Sequence, residues 1–353
     1  MVSIRMPREY LTLRPRYAAL LAGIAVAAAA CSAPSHPIFR HELTGTAVPW
    51  TQAQFDTSAG RFTFAVISDL NGGGRPGVFE VAAAQLTLLR PELVMSVGDL
   101  IDGPAPVDSL LTQEWEHFDT SVRTIPAPLF RVGGNHDLTG SVLRDVWRRR
   151  YGSTYYSFVY KNVLFLVLDT EDLPPERARK LFEARSTAIK ALREGKTSTD
   201  SLEYYRMPER ISGGISAEQS AYVQQALTRH PDVRWTFLFF HKPLWRNESD
   251  VNFRAVETAL ANRPYTVFSG HLHSLARTSR HGRDYFTLGT TGGSQDSTDA
   301  MALDHVTLVT MSTAGPSIAH VRLDGILDAD GKLPRGGDSL CFRAARCGGR
   351  QRP

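Results

Sequence analysis

The chain has 353 residues, 42% of them hydrophobic and 22% charged, which is typical of a globular protein with room for one large domain or two. The formal net charge is +4, but residues 1–30 carry four Arg and one Glu, so the rest of the chain holds 36 basic and 35 acidic residues. This near balance argues against a nucleic-acid-binding surface, and we expect no nucleic acid partner.

The first 30 residues have the pattern of a secretory signal. Arginines precede an apolar run at 17–30, and its fourteen residues are too few to span a bilayer, which takes about 20. The run ends in Ala28-Ala29-Ala30-Cys31, which resembles the processing site of bacterial lipoproteins. We therefore predict an exported, periplasmic protein with Cys31 as its lipidated mature N-terminus and membrane anchor. Because Ala28 stands where such sites usually carry Leu, cleavage without lipidation stays open.

The rest of the chain divides into three predicted regions. Residues 31–60 are rich in Pro, Thr and Ser and are predicted to be a tether, and residues 61–325 form the main domain. A charged insertion at 171–212 interrupts this domain and is either a lid beside the functional site or a peripheral decoration. Residues 326–353 are predicted to be a tail, where Cys341 and Cys347 form a disulfide in an oxidising compartment or stay as free thiols.

The main domain begins with the alternation typical of an α/β protein. Apolar strands at 62–68 and 93–97 flank a helix at 78–89, whose apolar residues recur at helical spacing until Pro91 ends it. Such a strand, helix and strand predict a parallel sheet. Further along, the patterns predict a helix at 112–123, hairpins at 155–169, 275–288 and 306–323, and a helix from a capping box at 216–219 to Arg229.

Five apolar strands each end in Asp, Asn or His. The residues at these ends are Asp69, Asp99, the run Asn135-His136-Asp137, His241, and the pair His271 and His273. Ligands of open α/β sheets bind beyond the carboxyl ends of the strands, so the five ends are expected to meet in one crevice. A mixed set of oxygen and imidazole ligands suits Zn, Fe or Mn, whereas a dedicated Ca or Mg site has mainly oxygen ligands. The sequence therefore predicts a metal site with room for two cations.

The residues at the strand ends resemble the motif blocks of the calcineurin-like metallophosphoesterases. In chain order these blocks are Asp69, Gly-Asp-Leu-Ile-Asp at 98–102, Gly-Asn-His-Asp at 134–137, His241 and Gly-His-Leu-His at 270–273. The resemblance implies an α/β fold, a four-layer α/β/β/α sandwich of two mixed sheets. It also implies that the metal site lies at the C-terminal ends of the strands.

A ligand set and a chemistry follow from the same resemblance. It implies a first metal bound by Asp69, Asp99 and His273, and a second bound by Asp99, Asn135, His241 and His271. Two divalent ions, which are Mn, Fe, Zn or Mg, would hold a bridging hydroxide that hydrolyses a phosphomonoester or phosphodiester of a small substrate. His136 stands where the family has its catalytic histidine, and Asp102 is expected to orient its imidazole.

Two features depart from the family pattern. Asn71 stands where the first block usually carries a histidine ligand, and its carbonyl oxygen is expected to bind the first metal loosely, shifting that site toward Mn or Mg. In the protein Ser/Thr phosphatases an Arg directly follows the residue that corresponds to Asp102. This chain has Gly103 there, so the phosphate needs another cation. We predict Asn135, Lys242 and Arg246 as substrate-binding residues.

Two functions from different classes are compatible with these features. One is a metal-dependent phosphoesterase, and the other is a non-catalytic lipoprotein of the same fold that binds a phosphorylated ligand or partner. The substitution at Asn71 makes the second conceivable. The presence of both His136 and Asp102 favours the enzyme, because a binding protein has little use for a leaving-group acid.

Overall fold

The computed structural model describes residues 37–58, 60–71, 73–103, 108–195 and 201–347. From Ile38 onward these residues belong to one compact unit. The predicted signal segment at 1–30 and the predicted lipidation site Cys31 lie outside the described residues. Among the residues described, no helix is both long enough and apolar enough to cross a membrane.

The strands form two mixed sheets. In chain order they are β1 (Phe39–His41), β2 (Phe62–Ile67), β3 (Leu93–Ser96), β4 (Leu129–Phe130), β5 (Tyr156–Tyr160), β6 (Val163–Val167), β7 (Trp235–Phe239), β8 (Tyr265–Ser269), β9 (Ala276–Arg280), β10 (Arg283–Thr287), β11 (His305–Ser312) and β12 (Gly315–Arg322). The seven-stranded sheet has the order β1-β5-β6-β7-β8-β10-β9, and the five-stranded sheet has the order β12-β11-β2-β3-β4. The parallel pairs are β2–β3 and β3–β4 in the five-stranded sheet, and β6–β7, β7–β8 and β8–β10 in the seven-stranded sheet. The remaining neighbouring pairs are antiparallel.

Helices cover the outer faces of both sheets. They are α1 (Val78–Leu89), α2 (Asp108–Val122), α3 (Asn135–Leu138), α4 (Ser141–Tyr151), α5 (Pro175–Arg193), α6 (Glu203–Arg206), α7 (Glu209–Ser212), α8 (Ala217–Arg229), α9 (Val251–Leu260) and α10 (Ala344–Cys347), with 3-10 turns at Leu244–Arg246, Leu323–Gly325 and Pro334–Ser339. α5, α6 and α7 belong to the predicted insertion. The helices at 78–89 and 217–229 lie where the sequence predicts them, and α2 begins four residues earlier than predicted.

Alternating side chains on each strand divide the apolar interior into three clusters. On β2, Phe62, Phe64 and Val66 face the other sheet, and the ring centroids of Phe64 and Phe237 lie 5.0 Å apart. Ala65 and Ile67 point the opposite way and pack with α1, α2 and α4, because successive residues of a strand face opposite sides. A third cluster joins β6 and β7 to α8 and α9. The four-layer α/β/β/α sandwich predicted from the sequence is confirmed.

The start of α8 differs in one detail from the predicted capping box. Ser216 Oγ accepts a hydrogen bond from the backbone N–H of Gln219 at 3.0 Å, as a helix cap should. The Gln219 side chain does not return the bond. Instead, Asp172 Oδ2 accepts from Ser216 N at 3.3 Å and from Gln219 Nε2 at 2.9 Å. The insertion therefore helps to close the first turn of α8.

The regions predicted as tether and tail differ from that expectation where they are described. β1 pairs with β5 in antiparallel register, and Trp50 is buried against Phe130. At the other end, Leu333 and Phe342 are buried in the cluster below α1, and Cys341 and Cys347 form a disulfide. The sequence predicts a tether and a tail here, but the side chains of Trp50, Leu333 and Phe342 pack in the apolar clusters of the domain.

Candidate metal centre

The ligand-bearing loops follow the strands with an unusual backbone conformation. Asp69 and Asp99 have φ of 47° and 54°, and His271 and His273 have φ of 71° and 53°. Residues with a side chain rarely adopt this left-handed region, and such strain clusters at functional sites. Hydrogen bonds hold the first two loops together, because Asp69 N donates to Gly98 O at 3.1 Å and Leu70 N donates to Asp99 O at 3.0 Å.

Gly98 allows the loop at Asp99 to approach the opposite sheet. Its φ is 101°, and a Cβ at this position would lie 2.6 Å from His241 Nδ1 and 2.9 Å from the backbone of Gly134. Any side chain would therefore push apart the ends of three strands. This close approach brings Asp99 between the two sheets.

Two groups of ligand atoms share Asp99. Asp69, Asp99 and His273 form one group, and Asp99, His241 and His271 form the other, with the ligand atoms of each group within 4.8 Å of one another. These are the sets that the sequence assigns to the two metals, apart from Asn135 and Asn71. Asn135 lies at the start of α3, where its buried Oδ1 has no hydrogen-bond partner among the described residues. Such an oxygen is available to bind a cation.

Each histidine of the centre has one ring nitrogen held by a backbone carbonyl. His241 Nδ1 donates to Val97 O at 2.9 Å, His271 Nε2 donates to Arg210 O at 2.7 Å, and His273 Nδ1 donates to Ser294 O at 2.5 Å. In the neutral imidazole the other nitrogen then carries a lone pair. This arrangement is typical of metal-binding histidines, because the hydrogen bond fixes the tautomer and the ring orientation.

The remaining nitrogens face carboxylate oxygens. His241 Nε2 lies 3.0 Å from Asp99 Oδ2, and His273 Nε2 lies 3.1 Å from Asp69 Oδ1. Two electron-pair donors at this distance need a proton or a metal ion to join them. The buried carboxylates, the oriented imidazoles and the unpartnered amide oxygen of Asn135 therefore fit two divalent cations.

The electrostatics of the centre reflect this crowding of charge. Burial opposes ionisation of Asp99, but the charges of His241 and His136 hold the pKa of that carboxyl well below its usual range. Burial also lowers the pKa of His241, but the Asp99 charge outweighs it and raises the pKa to about 9. Burial and the charge of His241 lower the pKa of His271. Without metal, a protonated imidazole at His241 thus balances part of the negative charge of Asp99.

Asn71 is not part of either ligand group. Its Nδ2 donates to Leu100 O at 2.6 Å, and its Oδ1 lies against Gly74, where a Cβ would be only 2.4 Å away. The side chain therefore braces two loops beside the first group. The expected coordination through its carbonyl oxygen requires a rotation of the amide away from this position.

His136 is oriented by Asp102, but not in the way that the sequence predicts. His136 Nδ1 donates to the backbone carbonyl of Asp102 at 2.5 Å, and the exposed carboxylate accepts a long bond of 3.4 Å from Gly74 N. The prediction that the Asp102 carboxylate orients the imidazole is thus wrong in its chemistry. By contrast, Asp137 anchors its loop, since its buried carboxylate accepts from the backbone N–H groups of Leu100 and Gly134.

The two predicted substrate cations lie in unsuitable surroundings. Lys242 is buried, and its Nζ lies 2.5 Å from Glu171 Oε1 and donates to Glu209 O at 3.1 Å. Its charge is therefore already balanced within the protein. Arg246 lies on the exposed side of the 3-10 turn at Leu244–Arg246. The ion-pair partner of Lys242 is Glu171 of the insertion, which lies 71 positions earlier in the chain. No local sequence pattern predicts such a pair.

A cation that the sequence analysis missed reaches the centre from the insertion. Arg185 on α5 donates from Nη1 to Asn135 O at 3.3 Å, and its Nη2 lies 3.4 Å from His136 Nε2. A signal existed in the helix periodicity, because Arg185 lies on the face that buries Leu181 and Ala188. A charged residue within a buried stripe marks a partner elsewhere in the fold. The inserted segment is thus adjacent to the centre.

The fold and the paired ligand groups are those of a metal-binding protein built on a two-sheet sandwich. The sequence profile described as calcineurin-like phosphoesterase matches residues 62–275, which are most of the described domain. The chain therefore belongs to the calcineurin-like phosphoesterase family. Its two ligand groups fit divalent metal ions as the cofactor.

Individual relatives are more distant. The chain is similar to manganese-dependent ADP-ribose/CDP-alcohol diphosphatases from Xenopus laevis and Xenopus tropicalis, with 24% identity over 222 residues in both cases. The matched part is 52% of this chain and spans only 62% and 65% of those two relatives. Its fold is similar to a dimetal phosphatase from Danio rerio, with a TM-score of 0.50, 16% identity, and coverage of 74% of this chain and 98% of that chain.

Proposed function

We propose that this protein hydrolyses phosphate esters or diphosphates of a small substrate with two divalent cations held around Asp99. The observation that supports this most is the pair of ligand groups that share the Asp99 carboxylate, next to the buried and unpartnered Oδ1 of Asn135. Asp69 and His273 complete the first cation site. His241, His271 and Asn135 complete the second.

Cations held by the two ligand groups would supply Lewis acidity toward phosphoryl oxygens and would make water more acidic at neutral pH. The protein holds the ligands in place through the carbonyls of Val97, Arg210 and Ser294. His136 stands beside the second group, because its backbone N–H donates to Asp99 Oδ1 at 2.9 Å. We expect its ring to act near the leaving group.

A cleft beside the centre offers room for the body of the substrate. It has a volume of about 320 Å³ and opens next to Asn71 and Asp102. Phe79 and Phe118 form an apolar wall, and Glu114 lies at the rim. Burial raises the pKa of Glu114. The mixed wall suits a substrate with both a flat or apolar part and hydroxyl groups.

The name of the two frog relatives supports diphosphates among the substrates and manganese as the metal to test first. A purified, metal-free sample would be supplied with Mn, Fe, Zn or Mg and assayed on aryl phosphate monoesters, aryl phosphate diesters and ADP-ribose. We expect turnover with at least one metal and its loss in Asp99→Ala and His136→Ala. Turnover that both substitutions leave unchanged would show that a contaminant or another site is responsible.

We further propose that the protein is an exported lipoprotein anchored through Cys31. The signal pattern at 1–30 supports export, and the Cys341–Cys347 disulfide fits an oxidising compartment. Expression in a bacterial host with radiolabelled palmitate tests this. We expect label in the membrane-bound wild type and none in Cys31→Ser, while an unlabelled wild type would leave cleavage without lipidation.

A further inference from the structure

Among the described residues, Arg185 has no carboxylate partner, whereas Arg131, the other buried arginine there, pairs with Asp119. The half-buried Arg75 and Arg144 pair with Asp304 and Asp169, and the three pairs have distances between 2.5 and 2.8 Å. Arg185 is only 8% exposed, and in the part of the chain that the structure describes it contacts a carbonyl and an imidazole instead. A buried cation without a counter-charge is costly. The free energy of this position falls when an anion arrives.

The guanidinium lies beside the second ligand group of the candidate metal centre. Its two contacts, Asn135 O and His136 Nε2, belong to the loop that also carries the unpartnered Oδ1 of Asn135. It therefore stands on the His136 side of the second ligand group. Lys242 cannot supply a free charge here because Glu171 neutralises it.

The hydrogen bonds of His136 indicate what kind of leaving group this corner serves. Nδ1 donates to the Asp102 carbonyl, so the opposite nitrogen, Nε2, faces a cationic N–H donor and not an acceptor. A leaving alcohol needs a proton, whereas a leaving phosphate departs as a stable anion and needs a fixed positive charge. A guanidinium presents two parallel N–H groups that match phosphate oxygens.

We propose that Arg185 binds the departing phosphoryl group, and that the substrate is a diphosphate cleaved at its P–O–P bridge. This inference rests on the proposed phosphoesterase function. Water forms a new bond to one phosphorus and gives one proton to solvent, and the bond from that phosphorus to the bridging oxygen breaks. The bond electrons stay on the bridging oxygen, which leaves as part of the second phosphate. Arg185 stabilises the charge on that second phosphate.

A second arginine of the insertion reaches the centre through its backbone. The carbonyl of Arg210 accepts a hydrogen bond from His271 Nε2 at 2.7 Å, while its guanidinium stacks on Tyr205, 5.1 Å from the ring centroid. The insertion therefore contacts the centre both at Arg185 and at Arg210.

Variants at Arg185 test the proposal with two substrates. Wild type, Arg185→Ala and Arg185→Lys would be assayed on ADP-ribose and on bis(4-nitrophenyl) phosphate, which has no second phosphate. We expect Arg185→Ala to reduce kcat/KM for ADP-ribose on the order of 100-fold and for the aryl diester less than about threefold. Arg185→Lys should recover part of the loss, because lysine keeps the charge but not the paired N–H groups. The matched control is Arg179→Ala on the same helix, where the side chain is exposed and paired with Glu183.

Equilibrium binding separates this inference from the proposed function. Calorimetry would compare methylenediphosphonate, which is not hydrolysed, with orthophosphate, and unfolding temperatures would confirm that each variant is folded. We expect Arg185→Ala to weaken methylenediphosphonate about 30-fold or more and orthophosphate less than about threefold. Equal losses for both substrates, or for both phosphates, would overturn the role assigned to Arg185 while the phosphoesterase function stands. A wild type without turnover on any substrate would overturn the proposed function and with it the cleavage step, and the binding comparison would then decide for or against the Arg185 phosphate site.

Discussion

The strand-end loops and the inserted helix α5 serve one site but are built in different ways. The loops hold Asp69, Asp99, His271 and His273 in left-handed backbone conformations that neighbouring hydrogen bonds fix. The insertion reaches the same centre with a long and flexible side chain, Arg185, and with the backbone carbonyl of Arg210. We therefore expect the loops to govern the position of the cations and the insertion to govern what else binds beside them.

The largest expected effect is at Asp99, which both ligand groups share. Asp99→Ala should reduce kcat at least about 10³-fold and remove both metals, because each site loses a ligand. Metal content by elemental analysis and turnover under saturating metal check this. Retention of one tightly bound metal per chain would show that the two sites are independent and would weaken the role assigned to the shared carboxylate.

The second test separates His136 from Asp102. His136→Ala should lower kcat about 10²- to 10⁴-fold, the usual contribution of a positioned proton donor or acceptor. Asp102→Ala should change it less than about threefold, because the imidazole is held by a backbone carbonyl that alanine keeps. Steady-state kinetics of both variants give the comparison. An Asp102→Ala variant as impaired as His136→Ala would restore the carboxylate as the orienting group.

A third test concerns Lys242, which the sequence offers as a substrate cation and the structure pairs with Glu171. Lys242→Met should lower the free energy of unfolding by about 3–5 kcal/mol, because it leaves the buried Glu171 carboxylate without its counter-charge. Adding Glu171→Gln should recover part of this loss. Urea denaturation measures both, with the exposed Arg246→Met as the control. A stable Lys242→Met protein with a raised KM would instead support direct contact with substrate.

The smallest effect is expected at Asn71. Asn71→His should tighten the affinity of the first cation about tenfold, because imidazole binds Zn, Fe or Mn better than an amide oxygen. Titration of the metal-free wild type and variant with Mn would measure this. Equal affinity and stoichiometry in both proteins would show that position 71 does not coordinate the metal.

The sequence predicts the parts of this site that depend on contiguous residues. An apolar strand followed by a polar residue places Asp69, Asp99 and His241 at the same edge of the sheets, and the family motifs supply their order. Three features depend instead on residues far apart in the chain. His136 is hydrogen-bonded to the backbone carbonyl of Asp102, and Lys242 forms an ion pair with Glu171. Arg185, which contacts His136, lies on a helix 49 positions further along the chain. Local patterns do not encode such pairings, because they arise from how the insertion packs on the sheets.

The same limit explains the tether and the tail. β1 and Trp50 in the predicted tether, and Phe342 in the predicted tail, lie in short segments without a sustained helix or strand periodicity, so the sequence pattern does not reveal their burial. Arg75 shows how the tail becomes connected to the functional end of the molecule. Arg75 lies four residues after Asn71 in the chain. It pairs with Asp304, and its Nη1 donates a hydrogen bond to the carbonyl of Cys341 at 2.8 Å. Only the folded chain brings these segments together.

The left-handed backbone at the four ligand-bearing residues has a thermodynamic consequence. Each such residue costs on the order of 1 kcal/mol, so the empty centre holds several kcal/mol of conformational energy in a domain whose net stability is about 5–15 kcal/mol. Cations that bind only the native chain offset this cost through mass action. We therefore expect added metal to raise the free energy of unfolding. Differential scanning calorimetry should show a melting temperature that climbs with free manganese in the wild type and stays flat in Asp99→Ala.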